Sequence, residues 1–319
     1  MIEIVLTANQ ANRRFDRFLA AYFSCAPKSL VHKWLRKKRI KLNGRRAQGN
    51  EITAEGDSVI FYLAPETIDG FIKKRQAPHD WGPVDIIYED ENILLANKPA
   101  GLLTHSDTSG SQDTMVGRLI YYLYGNNSDF VPALCNRLDR NTSGLVVCGK
   151  NMAALQALNA IFAARLVDKT YLAIVHGQLE ADGELRGYLC KDEKNRSAHI
   201  IADRKTQSID AERPKLHTAY ESLACGKDFS LLRIKLYTGR FHQIRAHFAA
   251  LGYPLAGDVK YGGKAIGYGR GQMLHCSSLR FLNLESAAGP LAYLSGHKYQ
   301  APIPKDFSDF LHHLSMDGR

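Results

Sequence analysis

The chain has 319 residues, 45% of them hydrophobic and 23% charged, a composition ordinary for a globular protein with one large core and a smaller one. Its net charge of +10 is concentrated: residues 13–46 hold twelve Lys/Arg against a single acidic residue, Asp16, so that segment carries +11 and everything else about −1. Six scattered cysteines with no C-x-x-C pair argue against a zinc site or a disulfide framework. No apolar run is long enough to span a bilayer, and Met1-Ile2-Glu3-Ile4-Val5-Leu6 lacks a signal-peptide pattern, so a cytoplasmic protein with reduced thiols is expected.

The first segment runs to about Ala64. Phe15, Phe18, Leu19 and Tyr22 recur at helical spacing, and Leu30, Val31, Trp34 and Leu35 form a second apolar stripe behind Ser29, a cap or first-turn residue. Arg36, Lys37, Lys38, Arg39 and Lys41 project positive charge at the exit of that helix, where cations suit the dipole. Asn43-Gly44 is a turn signal, and Gly56-Asp57 precedes a strand at Val59-Ile60-Phe61-Tyr62. Two short helices and a small hairpin make a compact basic module. A one-sided excess this dense is the footprint of a nucleic-acid binder more than of a solubilising face. Arg14-Phe15-Asp16-Arg17-Phe18-Leu19, Lys41-Leu42-Asn43-Gly44 and Gly56-Asp57 resemble the αL motif, the small RNA-binding module shared with a small-subunit ribosomal protein.

Residues 65–84 mix Pro, Gly and charge without periodicity and read as a linker. A second domain is expected over 85–312, opening on a hairpin (Asp85 to Glu91, then Ile93-Leu94-Leu95-Ala96), with a tail at 313–319. Leu155, Leu158 and Phe162 predict one helix face; Thr170 to Val175 and Leu232-Arg233-Ile234-Lys235-Leu236 predict strands, the second with one buried and one wet face. Residues 185–214 are polar and suggest no assignment, and Gly262 to Gly271 is glycine-rich.

Two clusters carry chemistry. In Asn136-Arg137-Leu138-Asp139-Arg140-Asn141-Thr142-Ser143-Gly144 one carboxylate stands between two arginines, ahead of a glycine turn and the apolar run Leu145-Val146-Val147-Cys148. Such company is usually a surface ion pair, but the apolar run puts this one at the mouth of a core, where a carboxylate serves as nucleophile, base or metal ligand. In Thr238-Gly239-Arg240-Phe241-His242-Gln243-Ile244-Arg245-Ala246-His247 the spacing of Ile244, Phe248 and Leu251 starts a helix that Gly252 ends. Arg240, His242, Gln243 and Arg245 crowd its N-terminus, which suggests an anion or carboxylate partner. The two histidines have the wrong spacing to share a metal on one helical face.

The 136–145 stretch resembles the signature of the RluA family of pseudouridine synthases, Lys169-Thr170-Tyr171-Leu172-Ala173-Ile174-Val175-His176-Gly177 is similar to its second motif, and 238–245 with Gly252, Pro254, Gly257-Asp258 and Tyr261-Gly262 to its third. Asn97-Lys98-Pro99-Ala100-Gly101, Leu274-His275-Cys276 and Ala301-Pro302-Ile303-Pro304 agree, so the resemblance spans the chain in family order. It implies an α+β pseudouridine synthase fold, with a mixed, largely antiparallel central sheet flanked by helices and loops. It implies Asp139 as the catalytic aspartate, Arg245 as its ion-pair partner, Tyr171 packed on the target base, and Arg137 filling the space that base leaves. Arg140, Arg240, His242 and Gln243, with the 36–41 cations, are expected to contact RNA. Asn136 and Asn141 depart from the family, where His and Asp are common. The reaction implied breaks the bond from uracil N1 to the sugar and rejoins the base through C5, with no cofactor and no metal. The expected substrate is large-subunit ribosomal RNA, with transfer RNA the lesser alternative, and the expected state is a monomer. A glycosidase would need a second carboxylate near Asp139, and only Asp258 stands in a motif. The rival from another class is an RNA-binding protein without catalysis, which loss of Asp139, Tyr171 or Arg245 would have marked.

Overall fold

A computed structural model describes residues 1–72, 79–107, 111, 113–124, 130–192, 197–202, 215–284 and 286–313. The two largest of its hydrophobic clusters organise it. The smaller is built by the N-terminal basic segment: β1 (Ile2–Val5), α1 (Phe15–Tyr22), α2 (Lys28–Arg36), β2 (Ile40–Leu42), β3 (Arg45–Arg46), β4 (Ser58–Phe61) and α3 (Pro65–Phe71). Phe15, Phe18 and Leu19 of α1 and Val31, Trp34 and Leu35 of α2 are buried, as their spacing predicts. Asn43 (φ +49°) and Gly44 (φ +71°) close the β2–β3 hairpin with both central residues left-handed, the geometry that makes Asn-Gly a hairpin signal. The sheet is wider than a hairpin, in order β1-β4-β2-β3, because β1 pairs along β4 and packs Ile2 and Ile4 against the cluster.

Residues 65–71 depart from the expected linker. Pro65 starts α3 at a position where a missing N–H costs nothing, and Ile68 is buried in the smaller cluster with Phe71 packed against it. The cluster therefore extends past Ala64; residues 73–78 of the expected linker lie outside the described residues.

The larger cluster lies on a sheet in the order β11-β10-β12-β13-β9-β14-β8-β6-β5. These are β5 (Asp85–Glu89), β6 (Ile93–Lys98), β8 (Ser143–Gly149), β9 (Val167–His176), β10 (Gly183–Asp192), β11 (Ser197–Ala202), β12 (Lys215–Cys225), β13 (Phe229–Leu236) and β14 (Leu274–Phe281). Short β7 (Ala133–Leu134) adds to β8, and β15 (Lys298–Gln300) to β14. Helices α4 (Met115–Tyr124), α5 (Met152–Ala163), α6 (Gln243–Leu251) and α7 (Lys305–His313) complete it. The expected 85–96 hairpin is β5–β6, and β13 buries Leu232, Ile234 and Leu236 while Arg233 is exposed. In α5 the buried stripe is Ala154, Leu158 and Ile161, so Leu155 and Phe162 are only half-buried. The described part of the 185–214 stretch falls in β10 and β11, which pair antiparallel; residues 193–196, 203–214 and the tail from 314 lie outside the described residues.

Among the described strands pairing is antiparallel except between β8 and β14, where Ser143 and Gly144 run parallel to His275 and Cys276. Gly144 sits at φ +111°, and a Cβ there would lie 2.3 Å from the Cys276 carbonyl oxygen, so only glycine admits this approach. That contact decides where the site forms. It sets the start of β8, hence the loop carrying Asp139, against the residue that pairs with Tyr171 of β9.

Candidate active site

Asp139 lies in the loop from β7 into β8, and both neighbouring residues are tied down. Leu138 donates its N–H to Thr104 Oγ1 (3.2 Å) and accepts the same hydroxyl at its carbonyl (2.6 Å). The Arg140 carbonyl accepts from the Gly101 N–H (2.9 Å) and from Lys98 Nζ (3.0 Å), and the Asp139 carbonyl accepts from Thr142 N–H (3.1 Å). Lys98 is fully buried and gives its other protons to the carbonyls of Pro99 and Leu102, both at 2.8 Å. Burial pulls its pKa down to about 7, opposed by the Asp139 charge. Three carbonyl acceptors require three protons, which favours the ammonium. The 97–105 segment is thus a clamp on the Asp139 loop, a role its sequence does not announce.

The side chain of Asp139 is 27% exposed. Its Oδ2 accepts from Arg245 Nη1 at 3.1 Å and lies 3.7 Å from His242 Nε2; among the described residues Oδ1 accepts no hydrogen bond. Arg245, on the first turn of α6, is itself held by Asp258, to which Nε and Nη2 donate at 2.7 and 2.8 Å. Asp258 is 1% exposed, so this fork is fully buried and dominates the orientation of the guanidinium. Its third nitrogen is left for Asp139. Burial lowers the arginine pKa, but Asp258 first and Asp139 second outweigh it, and the net shift is upward. The Tyr261 ring lies 4.8 Å from the guanidinium and its hydroxyl bonds His242 Nδ1 at 2.8 Å. Asp258 and Tyr261 belong to the site although residue type and spacing alone gave them no role. The signal available was their place just after the α6 motif, at Gly257-Asp258 and Tyr261-Gly262.

Tyr171 is 6% exposed, in contact with the Cys276 thiol opposite it in the sheet. Burial raises its pKa well above the ordinary phenol value, and the thiol and the nearby Asp139 charge push the same way. Burial likewise pushes the Cys276 thiol up to about 12, so it is no nucleophile here.

The expected RNA contacts divide. Arg137, Arg140 and Arg240 are exposed around the site, with Arg140 Nε donating to the Gly101 carbonyl at 3.1 Å. His242 faces Asp139 and is mostly buried, which drops its pKa to about 4 and leaves it neutral. Gln243 is a correction. It is buried, its Oε1 accepts from Thr238 Oγ1 (3.0 Å) and Arg240 N–H (3.1 Å), and its Nε2 donates to His217 O (3.2 Å) and Thr218 Oγ1 (2.9 Å). All four of its hydrogen-bonding positions are used, so it braces the turn and has none left for RNA. Arg36, Lys37, Lys38 and Arg39 stand exposed about the end of α2, with no acidic partner among the described residues; Lys41 is half-buried over the Tyr62 ring at 5.1 Å. Asn136, where the family commonly has His, bonds the backbone of β8 at Leu145 O (3.1 Å) and Val147 N (2.8 Å), so its departure serves the strand edge. Among the described residues no cluster of three His, Cys, Asp or Glu could hold a metal, and no helix is long and apolar enough to cross a membrane.

Comparison with known proteins bears on this geometry. Residues 92–250 match the family described as RNA pseudouridylate synthase. The chain is 30% identical over 322 residues to the "Uncharacterized RNA pseudouridine synthase YlyB" of Bacillus subtilis (strain 168), covering 99% of each. It is 30% identical over 336 residues to the ribosomal large subunit pseudouridine synthase D of Xanthomonas campestris pv. campestris, covering 99% of this chain and 93% of the relative. Among solved structures, human RNA pseudouridylate synthase domain containing 4 superposes with a TM-score of 0.56 at 20% identity, over 73% of this chain and 94% of that one, and so shares the fold. With a full-length relative at this identity and a family match spanning the Asp139 loop and most of α6, the chain belongs to the RluA-type pseudouridine synthases, isomerases that act on RNA.

Proposed function

We propose that the protein converts uridines of large-subunit ribosomal RNA to pseudouridine, with Asp139 as the working carboxylate. The observation that carries this is the asymmetry of Asp139: one oxygen held by a buried, pre-oriented guanidinium, the other accepting no hydrogen bond from the described residues on a side chain that reaches solvent. A carboxylate so held needs no reorganisation when it meets the sugar. It acts either by attacking C1′ or by removing a sugar proton. In either course the N1–C1′ bond breaks, the uracil turns, C5 bonds to C1′, the C5 proton leaves and N1 gains one, so the reaction balances without a co-reactant. The target base must leave its stack to reach Asp139. Tyr171 lies close enough to sense the Asp139 charge, and its raised pKa keeps the phenol protonated, which suits packing against the target base. Arg137 and Arg140 are exposed beside the loop, where arginines suit phosphate and base edges. Two observations support ribosomal RNA: the relative of X. campestris named for the large subunit, and the exposed cation cluster of the N-terminal segment.

The test is to incubate the protein with unmodified ribosomal and transfer RNA and map pseudouridine. Product in the large-subunit RNA is expected; product in no cellular RNA refutes the assignment. Asp139→Asn should bind RNA as the parent does with no measurable turnover, and turnover in that variant would mean another group does the chemistry.

A further inference from the structure

Extruding a uridine leaves the bases beside it without stacking partners, and the Thr238–His242 turn offers one. The Phe241 ring is stacked on His242 with centroids 3.7 Å apart and planes 19° from parallel, and His242 Nε2 is 3.7 Å from Asp139 Oδ2. One face of Phe241 is thereby covered while the residue remains 44% exposed, which sets a flat aromatic surface one ring away from the carboxylate. A lone exposed aromatic means little. This one is not alone. Just before the turn stands Tyr237, 37% exposed, stacked on His217 at 4.2 Å and 16°, with Lys235 Nζ 5.2 Å from its ring centre. Exposed Arg240 stands between the two pairs in the chain, so cations alternate with aromatic faces. That is the pattern of surfaces that hold single-stranded nucleic acid, rings under bases and charge under phosphates. The turn is also stiff. Gln243 ties Thr238, Arg240, His217 and Thr218 together, and His242, in the left-handed region at φ +51°, is held by the Tyr261 hydroxyl.

We propose that Phe241 is a stacking site for the unpaired nucleobase adjacent to the flipped uridine. The proposal rests on the pseudouridine synthase reading and names a nucleotide-binding element of that same site. Base–aromatic stacking is sequence-tolerant, so Phe241 would fix the position of the RNA strand rather than read its sequence.

The experiment uses the full chain with an unmodified large-subunit ribosomal RNA transcript. Affinity is measured in the Asp139→Asn background, and kcat/KM in the active enzyme. Phe241→Ala is expected to weaken both by roughly 5- to 100-fold, the range of one lost base stack. Phe241→Trp should restore them, whereas Phe241→Leu, equally apolar but without a ring, should not. In Phe241→Trp, emission should also be quenched on RNA addition beyond the change that Trp34 and Trp81 give in the parent. An alanine variant within about twofold of the parent, a leucine variant equal to it, or an introduced indole whose emission RNA leaves unchanged overturns the stacking site. Absence of pseudouridine with the parent enzyme overturns the functional reading beneath it, whereas product formed equally by the parent and Phe241→Ala overturns this proposal alone.

Discussion

Replacing Arg245 by lysine keeps the charge and removes the geometry. The guanidinium serves two carboxylates with three nitrogens, at 2.7 and 2.8 Å to Asp258 and 3.1 Å to Asp139. An ammonium is a single point and cannot meet both at hydrogen-bonding distance in that arrangement. It should stay with Asp258, because that carboxylate is 1% exposed and costs more to leave unpaired than Asp139, which reaches solvent. The variant then loses one bond of the buried fork and the bond to Asp139. A charge-assisted bond contributes about 1.5–3 kcal/mol when buried, and the partly exposed one less than about 1 kcal/mol, so stability should fall by about 1.5–4 kcal/mol. With Asp139 no longer held at Oδ2, kcat should fall by about a hundredfold, the scale that an ångström of misplacement can cost. Urea unfolding followed by circular dichroism, single-turnover kinetics and RNA affinity read the three quantities separately. Stability within about 0.5 kcal/mol of the parent, or kcat within about threefold, would refute the claim that the Asp258 fork, through Arg245, holds Asp139 in place. A variant that loses RNA affinity instead would place Arg245 on the RNA.

Two further outcomes follow from charge. Changing Arg36, Lys37, Lys38 and Arg39 together to Gln should leave kcat at saturating RNA unchanged and flatten the salt dependence of binding, by roughly 0.7–0.9 in log–log slope for each phosphate no longer neutralised. An unchanged slope would mean that the N-terminal segment is not the docking arm. Burial holds His242, His247 and His275 at a pKa of about 4, below the unfolded value of 6.5. Between those values the unfolded chain takes up protons that the folded chain refuses, so stability is full above about pH 6.5 and falls as the pH drops toward 4. Urea unfolding at pH 7 and pH 5 should show the loss, and equal stability at both would contradict the neutral burial of these rings.

Local elements were legible where periodicity and turn chemistry act over a few residues. The α1 and α2 stripes, the Asn43-Gly44 hairpin, alternation in β13 and the Gly252 end of α6 all follow from spacing within one element. Assignments failed where burial depends on a partner distant in the chain. The 65–71 stretch has no long apolar stripe, yet buried Ile68, with Phe71 packed beside it, seats it on the smaller cluster. Leu251 has the right spacing for the α6 stripe but is 37% exposed, since spacing does not say which turns of a helix will be covered. Gln243 looked like an RNA contact because polar residues at a helix start usually face outward, and here the turn folds over it.

The site shows the same division. By itself the sequence named the candidate groups, Asp139, Arg245 and Tyr171, since motif order and residue type are one-dimensional properties. It also placed the positive charge, because clustering along so short a segment survives any fold. The resemblance already implied that Arg245 is the arginine that meets Asp139, but only the tertiary structure shows what aims it there. Arg137 and Arg140 flank it in the chain, but the β8–β14 parallel contact at Gly144 and the Asp258 fork bring Arg245 across 106 residues instead. Neighbours in sequence project from successive points of a loop toward different sides, while a buried fork aims a distant side chain at one oxygen. Direction in space is set by packing, and packing is written in no single stretch of the chain.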